Sequence, residues 1–172
     1  MKISRQPPKT VFYGFARSPF GQAIALFSDD GLCGFGFGAK KADLLADYRK
    51  RWPVDFIRDD DLAQKIIGDV FAGKCWPLHL IGSDWQIAVW RALLKIRPAK
   101  TTSYGALAEI LGHPKAARAV GTAVGQNPIA YLVPCHRVVA KSGAMTGYHW
   151  GVELKEKILA VEQVGGVYPS VK

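Results

Sequence analysis

Cys135 and His136 are the residues of this chain whose types and order can do chemistry. They lie in Pro134-Cys135-His136-Arg137-Val138, entered through the apolar run Ile129 to Val133 and left through Val139. An extended run of that kind presents the thiol from inside the fold. A thiol of ordinary pKa, near ~8.5, is mostly protonated at neutral pH, so a base or a positive charge must help to make the thiolate. His136 offers an imidazole and Arg137 a guanidinium. Neighbours on an extended strand point to opposite sides, so the pair cooperates only from a turn or through water. A Cys-His dipeptide taken alone is more often a buried sulfur beside a solvated ring, and the rest of the chain has to decide. The other cysteines have no base beside them: Cys33 lies in a strand-like apolar run and reads as core, and Cys75 lies in the loop-like Gly73-Lys74-Cys75-Trp76-Pro77. Three widely spaced cysteines without a Cys-x-x-Cys pair argue against a disulfide framework and a standard zinc site.

The elements that must carry these residues divide the chain in two. Val11 to Phe15, Ala23 to Phe27 and Leu32 to Phe37 read as an antiparallel meander, with turns at Ser18-Pro19-Phe20-Gly21 and Asp29-Asp30-Gly31. Leu44, Leu45, Tyr48 and Trp52 recur at helical spacing, with basic residues 49–51 near the C-terminal end of that helix. Val54 to Arg58 is a candidate strand. Asp59-Asp60-Asp61 opens a second helix through Leu62, Ile66 and Val70 that Gly73 closes. This half shows no nucleophile-base or metal-ligand pattern and reads as a scaffold domain over residues 1–78, with Gly73 to Gly82 as the link. Residues 79–172 read as mostly helical, and the whole as α+β. Ser83-Asp84-Trp85-Gln86 has the form of a capping box before Val89, Leu93 and Ile96. Ser103 can cap a short helix through Tyr104, Leu107 and Leu111. Pro114 then occupies a favoured first helical position for a second helix through Ala117, Val120, Gly121 and Val124. Joined by Gly112-His113-Pro114, the two form a helix-turn-helix.

Charge adds a partner. The formal net charge is +9, and residues 74–172 hold 12 Lys/Arg against 5 Asp/Glu, whereas residues 1–73 hold 11 against 9. A basic surface so concentrated suits a polyanion, nucleic acid first among them. On the second helix of the pair, Lys115, Arg118 and Thr122 fall side by side, and Ala117, Gly121 and other small residues allow close approach to a groove. Nothing approaches the ~20 continuous apolar residues that span a bilayer, and the basic start is not followed by an unbroken apolar signal region. The expected location is the cytosol, or the nucleus in a cell that has one.

Tyr104, the run Lys115-Ala116-Ala117-Arg118-Ala119-Val120-Gly121, Asn127-Pro128, Pro134-Cys135-His136-Arg137-Val138, and Gly147-Tyr148-His149-Trp150-Gly151 before a helix ending at Glu162 together resemble the O6-alkylguanine-DNA alkyltransferases. The similarity runs from about Gly82 to Glu162, with a weaker echo at Ser18-Pro19-Phe20-Gly21 and Gly31-Leu32. It implies an N-terminal ribonuclease-H-like α/β domain and a C-terminal winged helix-turn-helix. It also implies stoichiometric, irreversible transfer of an alkyl group, mainly methyl, from guanine O6 in DNA to Cys135, with O4-alkylthymine as a further candidate substrate and no cofactor. By the same resemblance His136 deprotonates Cys135 through water, Glu162 orients His136, Asn127 ties the active-site loop to the helix-turn-helix, and Tyr104 donates toward N3 of the leaving guanine. Arg118 fills the stack vacated by the flipped nucleotide. Lys115, Thr122, Ala117, Gly121 and Arg137 are further expected DNA contacts, and Val138, Tyr148, His149 and Trp150 the base pocket. The implied partner is double-stranded DNA containing O6-alkylguanine, bound by a monomer, with cooperative binding along DNA left open.

Two departures matter. Arg97-Pro98-Ala99 replaces the family's usual Pro-x-Gly, so no DNA contacts are carried over to that loop. Trp150 stands where some members have Gly, and a large ring there should favour methyl over bulky groups. Ser28 and Cys33 occupy two positions at which some relatives bind zinc, so no structural metal is expected, and His79 reads as a linker residue. A non-catalytic alkyltransferase-like binder of alkylated DNA is the alternative, but such relatives lack the cysteine that this chain has. A transcription regulator would leave Cys135, Tyr104 and Glu162 idle, and a cysteine hydrolase gives no reason for the Arg118 face.

Overall fold

The computed structural model describes residues 1–145 and 147–166, which form two compact units, Met1–Gly82 and Ser83–Gly166. The class is mixed α+β. The first unit begins with β1 (Lys2–Ser4), followed by β2 (Thr10–Ser18), β3 (Gly21–Ser28) and β4 (Gly31–Phe37). These last three are the expected meander, antiparallel throughout. After α1 (Lys41–Arg51), β5 (Asp55–Arg58) joins the far edge parallel to β2, giving the order β4-β3-β2-β5. Arg49, Lys50 and Arg51 do occupy the last turn of α1. In α2 (Asp60–Phe71) the Asp59 side chain caps the helix by accepting from the Leu62 amide at 2.9 Å, and Asp60 accepts from the Phe15 amide of β2. Gly14 makes this packing possible: a Cβ there would lie 2.4 Å from the Asp59 carbonyl oxygen.

The unit closes with β6 (His79–Ile81), which pairs in parallel with β1. That pairing places the break between units at Gly82/Ser83, four residues beyond the expected 78/79 boundary. It also corrects the reading of His79 as a linker residue. The ring is buried, with Nε2 2.8 Å from the Ser4 hydroxyl and Nδ1 2.9 Å from the Ser28 hydroxyl. A single apolar-flanked histidine between a tryptophan-proline pair and a glycine carries no sequence signal of two serine partners drawn from distant strands. Cys33 is core, as expected, and burial pushes its thiol up to about 12.

The second unit starts with α3 (Asp84–Leu93), whose Ser83/Gln86 capping box is formed in both directions. β7 (Thr102–Ser103) leads into α4 (Tyr104–Ile110), capped by the Ser103 hydroxyl. Gly112 turns the chain at φ +77°. The next helix does not begin at Pro114: His113 to Ala116 form a turn closed by the Ala116 amide on the His113 carbonyl, and α5 (Ala117–Gly125) starts after it. Proline serves there as the second residue of a turn rather than as a first helical residue. Two indoles of α3 clamp α5 from behind, Trp85 Nε1 donating to the Ala119 carbonyl at 3.3 Å and Trp90 Nε1 to the Ala123 carbonyl at 2.8 Å. β8 (Val138–Val139) pairs with β7, and α6 (Val152–Gln163) is the last element among the described residues. No helix among the described residues is long and apolar enough to cross a membrane.

Candidate active site

The residues before Cys135 are buried but not extended, contrary to the sequence expectation. Ile129 to Val133 coil into successive turns, with the Leu132 amide on the Ala130 carbonyl, the Val133 amide on the Ile129 carbonyl, and Tyr131 at φ +68°. Buried backbone without a ladder must find other hydrogen-bond partners, and Asn127 supplies them. Its amide donates to the carbonyls of Ile129 (3.2 Å) and Val133 (2.8 Å) and accepts from the Ile129 amide at 3.0 Å. The same nitrogen lies 3.1 Å from Cys135 Sγ. One side chain therefore folds the loop and touches the sulfur.

Cys135–Arg137 form a single 3-10 turn, the arrangement required for neighbouring Cys and His side chains to serve one site. His136 is fully buried, its Nε2 2.8 Å from Glu162 Oε1. A carboxylate only accepts, so Nε2 carries the proton and Nδ1 is the basic nitrogen. Arg137 grips the same carboxylate, Nη2 at 2.7 Å and Nε at 3.1 and 3.2 Å from its two oxygens, and also donates to the Ile96 carbonyl. Glu162 Oε2 accepts in addition from the Ala99 amide at 3.1 Å. Burial by itself would raise the Glu162 carboxyl, but the hydrogen bonds from His136 and Arg137 override it and hold it down to about 2. Burial pushes His136 below its ordinary value, with Glu162 pulling back, so the ring is neutral at neutral pH. Burial raises the Cys135 thiol, opposed by the Asn127 hydrogen bond, the Lys155 charge and Tyr148.

Arg137 was expected on the DNA, and the structure corrects this: it is buried and committed to Glu162. Basic residues flanking a reactive site look alike in sequence whether they face inward or outward. Lys155 is a buried charged side chain beside the nucleophile's loop that sequence reasoning missed. It is buried in α6 with Nζ 2.7 Å from the Val138 carbonyl, and burial lowers its pKa. The available signal was its spacing: Lys155, Ile158, Leu159 and Glu162 share the inward face of α6.

A cavity of about 370 Å³ opens over the sulfur. Cys135, Asn127, Tyr104, Gly121, Tyr148, His149 and Trp150 are among the residues that line it. A Cβ added at Gly121 would meet the Tyr104 ring at 3.6 Å, so α5 and the phenol lie side by side. Trp150 meets His149 edge to face, ring centroids 4.5 Å apart. Val138, expected in the pocket, is fully buried and is not among the residues that line it. On the outward side of α5, Arg118 and Thr122 are exposed, and Ala117 and Gly121 are half-buried. Lys115 is exposed too, but in the turn before the helix rather than on it. The Ala99 backbone adopts φ +59° at the position that is glycine in the usual Pro-x-Gly motif. Among the described residues no group of His, Cys, Asp and Glu is placed to hold a metal ion.

Residues 84–164 match the family described as 6-O-methylguanine DNA methyltransferase, DNA binding domain. A methylated-DNA–protein-cysteine methyltransferase of Methanosarcina acetivorans is 36% identical over 158 residues, covering 88% of this chain and 98% of the relative. The namesake from Mycolicibacterium paratuberculosis is 50% identical over 101 residues, covering 56% of this chain and 61% of the relative. Among solved structures, Mycobacterium tuberculosis OGT in complex with DNA superposes with a TM-score of 0.74 at 34% identity, covering 92% of this chain and 96% of that one. With its Cys135 site and these likenesses, the chain belongs to the methylated-DNA–protein-cysteine methyltransferase family.

Proposed function

We propose that this protein repairs DNA by moving the alkyl group of O6-alkylguanine, mainly methyl, directly and irreversibly onto Cys135. The observation that carries this is Cys135 lining a small cavity together with Tyr104 and with Gly121 of α5, on the same turn as a buried His136 that is paired with Glu162. A thiol raised by burial needs a base, and neutral His136 is one. Nδ1 receives the Cys135 proton through a water. Sγ then attacks the alkyl carbon, the S–C bond forming as the C–O6 bond breaks, and the guanine leaves with its charge stabilised by the Tyr104 phenol at N3. The product thioether has no easy reversal, so each molecule acts once.

A base inside a duplex cannot reach this cavity. The nucleotide has to be extruded at a cost of roughly a few kcal/mol, least for a damaged, poorly paired base. Arg118, Lys115 and Thr122 then hold the duplex, with Arg118 filling the gap in the stack. In this reading the first unit is a ribonuclease-H-like scaffold and the second a winged helix-turn-helix, and the protein acts as a monomer.

The test is to incubate the protein with a duplex containing O6-methylguanine and weigh the intact protein and the peptide bearing Cys135. A gain of one methyl on that peptide is expected. Cys135→Ser should bind without gaining mass, and Arg118→Ala should slow reaction with duplex more than with free base. Binding without methylation of the wild type would overturn the reading.

A further inference from the structure

The mechanism above leaves one buried ion without a task. Taking a lysine ammonium out of water is expensive unless an opposite charge or strong hydrogen bonding compensates, and the inward face of α6 could have been filled by another aliphatic beside Ile158 and Leu159. Lys155 is instead 1% exposed, and its Nζ rests on the Val138 carbonyl. Val138 is the residue that closes the nucleophile's turn, its amide bonded to the Cys135 carbonyl. The ammonium is thus fixed to the backbone of the loop that carries the sulfur. Its position also couples to the thiol electrostatically in both directions: the ammonium favours the thiolate, and the thiolate favours the ammonium.

We propose that Lys155 is the positioning cation of the nucleophile, holding the Cys135 sulfur as a thiolate once its proton has gone to His136. This rests on the alkyl-transfer reading of the same site. Lys155 keeps its own proton throughout. His136 supplies the route by which the proton departs, and Lys155 the field that makes departure favourable at a buried sulfur. One helix therefore serves both halves of the step: Glu162 orients the base, and Lys155, two turns earlier, supports the anion the base creates. The other titratable groups that line the cavity with the sulfur are Tyr104 from α4 and Tyr148 and His149 from the segment before α6; His136 and Arg137 belong to the sulfur's own turn and pair with Glu162 from α6. Arg137 is held by Glu162, and Lys155 is the cation tied to the backbone of the sulfur's own turn.

The test uses iodoacetamide, a small alkylating agent, and follows modification of the Cys135 peptide by mass from pH 5 to 10 in the full chain. Lys155→Met removes charge and donor. Lys155→Gln removes the charge but keeps a donor for the Val138 carbonyl. Each should move the midpoint of the rate profile up by about one pH unit or more, a loss of about tenfold or more at neutral pH. The rate at the alkaline plateau should stay within about threefold of wild type. Lys155→Arg should keep the midpoint, and it serves as the deciding variant if neither neutral one folds: a midpoint raised by a full unit with the charge retained would overturn the proposal. So would an unmoved midpoint in either neutral variant, or a uniform loss at every pH, which is the signature of a merely structural lysine. Because iodoacetamide needs no DNA, failure here is distinguishable from failure of methyl transfer.

Discussion

Replacing Glu162 by glutamine tests the centre of the site. The carboxylate accepts from four N–H groups, His136 Nε2, Arg137 Nε and Nη2, and the Ala99 amide. An amide can present one oxygen but turns its NH2 against donors on the other side, and it leaves the Arg137 guanidinium buried beside no counter-charge. Breaking a buried pair by removing one partner costs about 3–5 kcal/mol, and at about 2–4 °C per kcal/mol for a chain of this size the Tm should fall by roughly 6–20 °C. Thermal unfolding followed by circular dichroism reads this directly. The pH dependence has a definite sign. The unfolded carboxyl takes up a proton near its ordinary 4.5 and the folded one only near about 2, so the pair's contribution is complete above 4.5 and is lost as pH falls toward 2. The gap between wild type and Glu162→Gln should therefore close over that window. Adding Arg137→Met should recover at least half of the lost stability while methyl transfer stays slow, since His136 still lacks its orienting acceptor; in comparable arrangements the loss is up to about 10⁴-fold. A Tm within about 2 °C of wild type, or strictly additive losses in the double variant, would refute the assignment of Glu162 as the charge that holds this site together.

Other outcomes follow from individual residues. Ala99→Gly should leave the Tm unchanged or raise it by a few degrees, because the left-handed conformation costs a non-glycine residue about 1–2 kcal/mol and the added flexibility of glycine offsets only about 0.5–1; a fall of more than ~3 °C by calorimetry would show that the methyl group packs. His79→Gln should flatten the fall in urea midpoint between pH 7.5 and 5.5. The unfolded ring protonates near ~6.5 whereas burial holds the folded one lower, so its contribution is full above that pH and is lost below it. An unchanged slope would mean that the ring titrates alike in both states. Trp150→Gly should speed inactivation by O6-benzylguanine relative to reaction with methylated DNA, and wild type reacting equally fast with both would dispose of the steric account.

Much of this was legible in the chain because it rests on local chemistry. The capping box at Ser83, the cap at Ser103, the meander glycines and the 3.6-residue spacing of the helices each specify their own neighbourhood, and the elements follow them closely. What stayed hidden depends on partners distant in sequence. Ile129 to Val133 read as a strand because five apolar residues in a row look the same in a strand and in a buried coil. Only the Asn127 side chain, folded back on three backbone groups, distinguishes the two. Arg137 and Lys155 look like surface charge until the helix that brings Glu162 into place also buries them. His79 gives no hint of Ser4 and Ser28, 75 and 51 residues away.

The tryptophan clamps behind α5 bear on how a lesion can be found at all. Ala119 and Ala123 lie one helical turn apart, and each carbonyl, with two lone pairs, can serve the helix and an indole together. α5 therefore cannot roll or slide to suit a sequence without breaking a tryptophan bond, one of them in the core. If the duplex lies on α5 as proposed above, adaptation falls to the nucleic acid: the same helix edge is presented at every site, and what varies is how readily the duplex opens against it. On that reading damage is met first as softness of the duplex, before any contact with the alkyl group.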